Sequence, residues 1–261
     1  MLKEFKKPSM KYRPLPFWSW NDKLEINELE EQITEMNKQG LGGYFMHARS
    51  GLKIEYLSKD WFSCIEAGIN KASELGMEAW AYDEEGWPSG FAGGIIPELN
   101  IDYQAKFMVM KYAVSLSENN NHNILAVYLY KNSSDEYYRL EETDDYTCSN
   151  DEKLIVIEKC INPHYIDTMN RDAVKAFLSH THQQYYEKFG DVLKGFFTDE
   201  PRLSCNNFGD LAWSDCLPDA FSKKYGYSIL DHLPALFLKT KDYKKYRYDF
   251  WVMVNELFVQ S

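Results

Sequence analysis

The chain of 261 residues contains 29 Lys and Arg against 40 Asp and Glu, which gives a formal net charge of −11 at pH 7. This acidity argues against a nucleic-acid-binding protein, because such proteins normally present a basic patch to phosphate groups. Hydrophobic residues make up 44% of the chain and charged residues 26%, as in ordinary globular domains, so the chain is able to bury a core.

No segment reaches the roughly 18 apolar residues of a membrane span, and the charged N-terminus is not followed by the apolar segment of a signal peptide. These features predict a cytoplasmic protein with no membrane partner. The five cysteines do not form a C-x-x-C pair, which disfavours both a disulfide framework and a structural zinc site. They are Cys64, Cys148, Cys160, Cys205 and Cys216.

Strand and helix signals alternate along the first third of the chain. Short apolar or aromatic segments predict strands, and each of the first two is followed by apolar residues at helical spacing between a capping residue and a glycine. The third strand runs instead into a carboxylate-rich loop broken by Gly and Pro. The predicted strands are 14–20, 42–47 and 78–82, and the helices run from Asn27 to Gly40 and from Ser58 to Gly76.

The alternation stops between about 97 and 165, where several apolar segments are separated only by polar turns. Neighbouring strands without intervening helices are typical of an antiparallel sheet. A helix at 170–189, a fourth strand at 194–198 and further helices at 218–261 are predicted beyond it. The chain is therefore expected to comprise three β/α units at 1–96, an inserted antiparallel subdomain at 97–165 and a continuation of the first fold at 166–261.

Polar and aromatic residues follow the C-terminal end of every predicted parallel strand. In a (β/α)8 barrel these ends surround one mouth that holds the active site, whereas an open sheet concentrates ligand contacts at a switch point. No glycine-rich phosphate-binding fingerprint is present. The pattern predicts an α/β fold of the TIM-barrel type with one cluster of site residues. The candidates are Trp18, Trp20, Asn21, His47, Arg49, Asp83, Glu84, Glu85, Trp87, Asp199 and Glu200.

The length predicts a partial barrel. A complete barrel takes about 250 residues without insertions, and only four of its strands are evident here. We therefore expect the first half of a barrel, that is, a truncated domain whose open strand edges favour self-association.

Four of these segments together resemble the catalytic barrel of bacterial α-L-rhamnosidase-type glycoside hydrolases, family 106 and its relatives. The segments are PFWSWN, GLGGYFMH, YDEEGWPSG and FFTDEP, followed by LPDAFSKKYGYSILDHLPAL. The resemblance implies hydrolysis of a terminal glycosidic bond by a pair of carboxylates, often with calcium near the sugar hydroxyls. It also implies that the second carboxylate comes from strands five to eight, beyond Ser261.

Glu200 is the leading candidate for the catalytic acid. Glycoside cleavage requires one carboxylic acid that protonates the leaving oxygen and a second carboxylate on the other side of the sugar. Glu200 follows a predicted buried strand, and the neighbouring charge of Asp199 favours its protonated form. Asp199 is the second catalytic-site candidate, with hydrogen bonding to substrate or structure as its expected role.

The other candidates are expected to bind the sugar. Carboxylates at 83–85 suit hydroxyl groups or, alternatively, a calcium ion, while a solvated loop is the simpler interpretation of such a charge run. His47 and Arg49 suit polar recognition, and the three tryptophans suit stacking on a sugar face or packing in the core. His180 and His182 lie two apart on a predicted helix and are interpreted as structural. A non-catalytic carbohydrate-binding protein, an inactive truncated fragment and a different, metal-dependent barrel enzyme remain as alternatives.

Overall fold

The computed structural model describes residues 2–6, 8–113, 123–141, 146, 148–203 and 209–261. By contacts the chain divides into two compact units, one of residues 1–96 and 175–202 and the other of residues 97–174 and 203–261. The helices are α1 Leu2–Lys6, α2 Ile26–Lys38, α3 Lys59–Leu75, α4 Ile95–Leu99, α5 Arg171–His180, α6 His182–Phe189, α7 Leu217–Tyr225, α8 Leu233–Phe237 and α9 Tyr243–Gln260. The strands are β1 Phe17–Trp20, β2 Gly43–Ala48, β3 Glu78–Glu85, β4 Gln104–Ala113, β5 Ile124–Lys131, β6 Glu136–Leu140, β7 Glu152–Ile166, β8 Phe196–Phe197 and β9 Leu211–Trp213.

The first unit is built on a parallel sheet of four strands in the order β1-β2-β3-β8. The four predicted parallel strands thus lie side by side in chain order. No closed barrel is present within the described residues. The first unit is therefore a partial α/β fold with four parallel strands, where a complete barrel has eight.

One face of this sheet is covered by helices α2 and α3. The helix-facing side chains of β1 and β2, including Trp20 and Met46, pack on Trp61 and its neighbours in α3. Helix α3 begins where the Ser58 hydroxyl accepts a hydrogen bond from the Trp61 amide, and it lies close to the sheet at Gly68. A Cβ atom on Gly68 would be 2.9 Å from the Met46 sulfur, so a larger residue there would require the Met46 side chain to move.

The opposite face of the sheet is aromatic and concave. Phe17 on β1 and Phe197 on β8 lie on the two outermost strands, which would be about 14 Å apart in a flat sheet. Their ring centroids are only 4.8 Å apart, and each also contacts Phe45 and Tyr82 between them. The sheet is therefore strongly curved, in the sense that a barrel requires. Phe17 remains 51% exposed on this face.

The second unit is a five-stranded antiparallel sheet in the order β6-β5-β7-β4-β9. Its four longer strands match the antiparallel segments expected from the sequence, whereas β9, which pairs with β4 from Lys106 opposite Trp213 to Met108 opposite Leu211, was not expected. Helices α7 and α9 contribute Phe221 and Phe250 to the core against one face. The three-part domain division drawn from the sequence stays a prediction.

The helix expected at 170–189 is divided in two at Thr181. The Thr181 hydroxyl donates to the carbonyl oxygen of Phe177 at 2.7 Å, a bond to the preceding turn that bends helices. The expected cap at Asn27 also differs, since α2 begins at Ile26 and Glu25 precedes it without a side-chain cap bond. None of the helices in the described ranges is long and apolar enough to cross a lipid bilayer.

Cys64, Cys148, Cys160 and Cys216 carry free thiols, and Cys205 lies outside the described residues.

Candidate functional site

The segments that follow the parallel strands are hydrogen-bonded to one another. The Arg49 amide donates to the carbonyl oxygen of Trp20, and the Gly86 amide donates to that of Ala48, both at 3.0 Å. The Ser89 amide likewise donates to the carbonyl oxygen of Asp199 at 2.9 Å. The structure therefore brings the candidate residues of all four strand ends to one edge of the sheet.

Asp199 is held on both its backbone and its side chain. Its amide donates to the Ser89 hydroxyl at 2.8 Å, in addition to the bond that its carbonyl oxygen accepts from the Ser89 amide. The Tyr82 hydroxyl donates to one carboxylate oxygen of Asp199. Burial and this bond to Asp199 raise the pKa of Tyr82, so the phenol stays protonated and donates at neutral pH. Asp199 is half-buried and has a defined orientation.

Glu200, the next residue, is more exposed than Asp199 and is not held by the described side chains in the way that Asp199 is. Its side chain is exposed and makes no hydrogen bond or ion pair with the residues that the structure describes. Its backbone adopts a φ of +45°, which is uncommon for a residue other than glycine and is found preferentially at functional sites. Glu200 is the third residue after β8 and is exposed, so its carboxylate is accessible to a ligand.

Asp83 is fully buried, and both of its carboxylate oxygens are occupied. One oxygen accepts from the Ser89 hydroxyl at 2.6 Å, and the other accepts from the Thr198 hydroxyl at 2.6 Å and lies 3.3 Å from Nε2 of His182. Asp83 therefore connects β3 with the end of β8 and with α6. This geometry corrects the expectation that it binds sugar hydroxyls, because its oxygens have no remaining access.

Glu84 is also fully buried, and it binds the backbone of the loop that follows β3. Its two carboxylate oxygens accept five backbone N–H groups, from Glu85 and from residues 90–93. Burial raises the pKa of Glu84 to about 7, against the lowering effect of these donors. The expectation of sugar binding is therefore corrected here as well: Glu84 organises the loop and does not face a ligand.

Glu85 is half-buried, and burial raises its pKa. A calcium ion takes six to eight oxygen ligands. Because the oxygens of Asp83 and Glu84 are already occupied by protein donors, the 83–85 segment does not fit a calcium ion. No group of three or more His, Cys, Asp or Glu in the described part of the chain is arranged to hold a metal.

His47 is buried against the ring of Tyr82. The two rings are stacked with centroids 3.4 Å apart, and Nε2 of His47 is 3.1 Å from the carbonyl oxygen of Gly86. Since a carbonyl oxygen only accepts, Nε2 carries the proton of a neutral imidazole. Burial is the main reason that the pKa of His47 is lowered to about 4. Arg49 is exposed and unpaired among the described residues.

The four remaining candidates divide into buried and exposed residues. Trp18 and Trp20 are 9% and 2% exposed and pack in the helix-facing core, where the Trp18 indole donates to Gln32 at 2.9 Å. The expectation that they stack on a sugar is corrected, because strand alternation turns both to the helix side. Asn21 is exposed, and Trp87 is 46% exposed with the Arg202 guanidinium 5.1 Å from its ring centroid.

Sequence reasoning did not identify four residues of this cluster: Tyr82, Ser89, Thr198 and His182. Tyr82 and Thr198 adjoin the acidic residues in the chain, and strand alternation was the available signal for placing Tyr82 on the concave face. His182 carried no such signal, because it is distant from Asp83 in sequence and reaches it from helix α6.

We expect the low pKa of His47 to make stability depend on pH in the acid range. Above about pH 6.5 the residue is neutral in both folded and unfolded chains. As the pH falls from there towards 4, only the unfolded chain takes up the proton, so the free energy of unfolding decreases by up to about 3 kcal/mol. His47→Gln keeps a donor for Gly86 and should remove this contribution in urea unfolding at several pH values. The exposed His164→Gln should keep it, and equal pH slopes for all three proteins would contradict the assignment.

No family model matches the sequence, and no curated protein is similar to it. Among solved structures, the chain is similar to a rhamnosidase from Novosphingobium sp. PP1Y, with a TM-score of 0.59 and 10% sequence identity. The match covers 98% of this chain and 44% of that protein. At this identity the likeness concerns the fold alone: the chain folds like part of that rhamnosidase and spans less than half of its length.

Proposed function

We propose that this chain carries part of the active site of a glycoside hydrolase, with α-L-rhamnosides as the first substrate class to test. The observation that supports the proposal most strongly is the contrast between Asp199 and Glu200. The Asp199 carboxylate accepts from the Tyr82 hydroxyl while its backbone is bound by Ser89, and the neighbouring Glu200 carboxylate is exposed at the same strand end. A fold similar to that of a rhamnosidase supports the same class of reaction.

In this proposal Glu200 is the general acid. Its carboxylic acid protonates the glycosidic oxygen as the bond to the anomeric carbon breaks, and the leaving group departs as an alcohol. Asp199 has one oxygen bound to Tyr82 and the other available to accept a hydrogen bond from a sugar hydroxyl. Asn21, Arg49 and Trp87, which are exposed near the strand ends, are the proposed sugar contacts.

The reaction also needs a second carboxylate, about 5–9.5 Å from the acid, as a nucleophile or as a base for water. We propose that it comes from outside the 261 residues, because the chain corresponds to less than half of the rhamnosidase it resembles. In that case this chain by itself has no appreciable glycosidase activity.

The direct test is a hydrolysis assay with the natural protein that contains this sequence. It should release rhamnose from α-L-rhamnosyl disaccharides and from nitrophenyl α-L-rhamnoside, and a panel of other nitrophenyl glycosides defines the sugar. Binding of a saccharide without turnover would replace the proposal by a carbohydrate-binding function, for which the exposed aromatic rings of Phe17 and Trp87 are the specific support.

The concave face leads us to propose a partner for the isolated chain as well, namely a second copy. Parallel sheets are normally covered on both faces, and here Phe17 remains half exposed. Light scattering at micromolar concentrations should show oligomers of the isolated chain, and Phe17→Ser should shift them towards monomer. Tyr12→Ser, which alters an exposed ring outside the sheet, is the matched control. A stable monomer for the unsubstituted chain would contradict this expectation.

A further inference from the structure

We propose that Trp87 and Arg202 form the subsite for the leaving group, a platform on which the sugar released by the reaction stacks. This inference rests on the proposed function and adds to it the side of the glycosidic bond on which the tryptophan acts. Trp87 comes from the loop that follows β3, and Arg202 comes from the segment that follows β8. Both belong to the first unit of the chain.

The loop after β3 and the segment after β8 are bound to each other at Ser89 and Asp199. The Ser89 amide donates to the carbonyl oxygen of Asp199 at 2.9 Å, and the Asp199 amide donates to the Ser89 hydroxyl at 2.8 Å. That hydroxyl in turn donates to the buried Asp83 at 2.6 Å. Trp87 precedes Ser89 by two residues and Arg202 follows Asp199 by three, so these bonds set the position of the backbone that carries both side chains.

Trp87 and Arg202 make a second contact between the same two segments. The Arg202 guanidinium lies over the Trp87 ring, 5.1 Å from its centroid, which is within the range of a cation–π interaction. Arg202 is exposed, and 46% of the Trp87 surface is accessible to solvent. A ring that is held by a neighbour and remains accessible loses less conformational freedom when a ligand binds, and this favours a stacking contact.

Glu200 lies in the chain between these two contacts. It follows Asp199 directly and precedes Arg202 by two residues, and its carboxylate is exposed. A general acid protonates the oxygen that joins the two sugars, so the sugar that is cleaved off and the leaving group lie on opposite sides of that oxygen. Asp199 is on the strand side of Glu200, since its carboxylate accepts from Tyr82 of β3. The chain order therefore assigns Asp199 to the sugar bound at the strand ends, and Trp87 with Arg202 to the leaving group.

The chemistry of the pair selects a leaving group that contains a ring. An indole packs against the apolar C–H face of a pyranose, and a guanidinium adds N–H donors for hydroxyl groups at the edge of that ring. A small alcohol such as methanol presents no face to stack. The platform should therefore assist the release of a saccharide and contribute almost nothing to the release of methanol.

The test compares two substrates of the natural protein, an α-L-rhamnosyl disaccharide and methyl α-L-rhamnoside. Trp87→Ala should lower kcat/KM on the disaccharide by about 10-fold and on the methyl glycoside by less than about 2-fold. Trp87→Phe keeps a ring and should retain most of the disaccharide activity. Trp251→Ala is the matched control, because Trp251 is 44% exposed on helix α9, and it should leave both activities intact.

The ratio of the two losses separates stacking from other effects of the substitution. A smaller amount of folded protein lowers both activities by the same factor. Both leaving groups are alcohols that need a proton, so a displaced Glu200 also lowers both. A loss confined to the disaccharide therefore supports the leaving-group subsite.

Arg202→Gln tests the other half of the platform. It should also lower kcat/KM on the disaccharide selectively, and its effect should be smaller in the Trp87→Ala background because the two side chains act on the same leaving sugar. Equal losses of Trp87→Ala on the two substrates would overturn the subsite while the glycosidase activity stands. If the natural protein hydrolyses neither substrate nor any other glycoside, the proposed function fails and the subsite fails with it.

Discussion

Replacing Glu200 by glutamine is expected to remove most of the turnover of the natural protein on a disaccharide while leaving substrate affinity nearly unchanged. The amide keeps the shape of the side chain but has no proton to deliver to the leaving oxygen. General acid catalysis is typically worth about 10²–10⁴-fold, or roughly 3–5 kcal/mol of activation free energy. Because Glu200 is exposed and unpartnered among the described residues, the substitution should not alter the unfolding temperature.

The comparison of two substrates separates acid catalysis from a structural effect. A nitrophenyl glycoside has an acidic leaving group that needs little protonation, so the loss caused by Glu200→Gln should be much smaller on it than on a disaccharide. Glu31→Gln, on the exposed side of α2, is the matched control and should leave both activities intact. Equal losses on the two substrates, or a clear loss of thermal stability, would transfer the acid role to Asp199.

The elements that the sequence predicted well are those whose signals are local. Helix α3 combines a capping serine, Ser58, with a terminal glycine, Gly76, and the structure uses both. Strand β9, by contrast, is three residues long and is stabilised by its pairing with β4, so no local sequence pattern predicts it. The interruption of the helix at Thr181 likewise depends on one hydroxyl group that bonds to the preceding turn. The helical spacing of apolar residues does not predict this bond.

The location of the candidate site was predictable for a similar reason, whereas the role of each side chain was not. Parallel strands place their carboxyl ends along one edge, so residues that follow them come together whatever their individual orientation. Orientation then depends on tertiary packing. Trp18 and Trp20 face the helices, and Glu84 turns its carboxylate towards the backbone of its own loop. Neighbours in sequence such as Asp199 and Glu200 therefore differ in exposure and in partners.

Glu84→Gln is expected to be the most destabilising single substitution in the first unit. Each carboxylate oxygen of Glu84 accepts at least two backbone N–H groups, so an amide in either orientation sets its own NH2 against donors. A buried polar group left without its partner costs about 1–3 kcal/mol. With two or three such donors affected, we expect the free energy of unfolding to fall by about 3–5 kcal/mol in urea titrations.

The neighbouring carboxylate supplies the control, because Glu85 is half-buried and its carboxylate has no hydrogen bond within the described residues. Glu85→Gln removes the same charge one residue further on and should change stability by less than about 1 kcal/mol.

The pH dependence of stability is a second test of the role of Glu84. Burial raises the pKa of Glu84 to about 7 from an ordinary value of 4.5, so in the unsubstituted protein this group's contribution to stability is fully present below about pH 4.5 and declines as the pH rises to 7. The deficit of Glu84→Gln should therefore be larger at pH 5 than at pH 7, and equal deficits for the two glutamine variants would show that the backbone donors of residues 90–93 do not depend on Glu84.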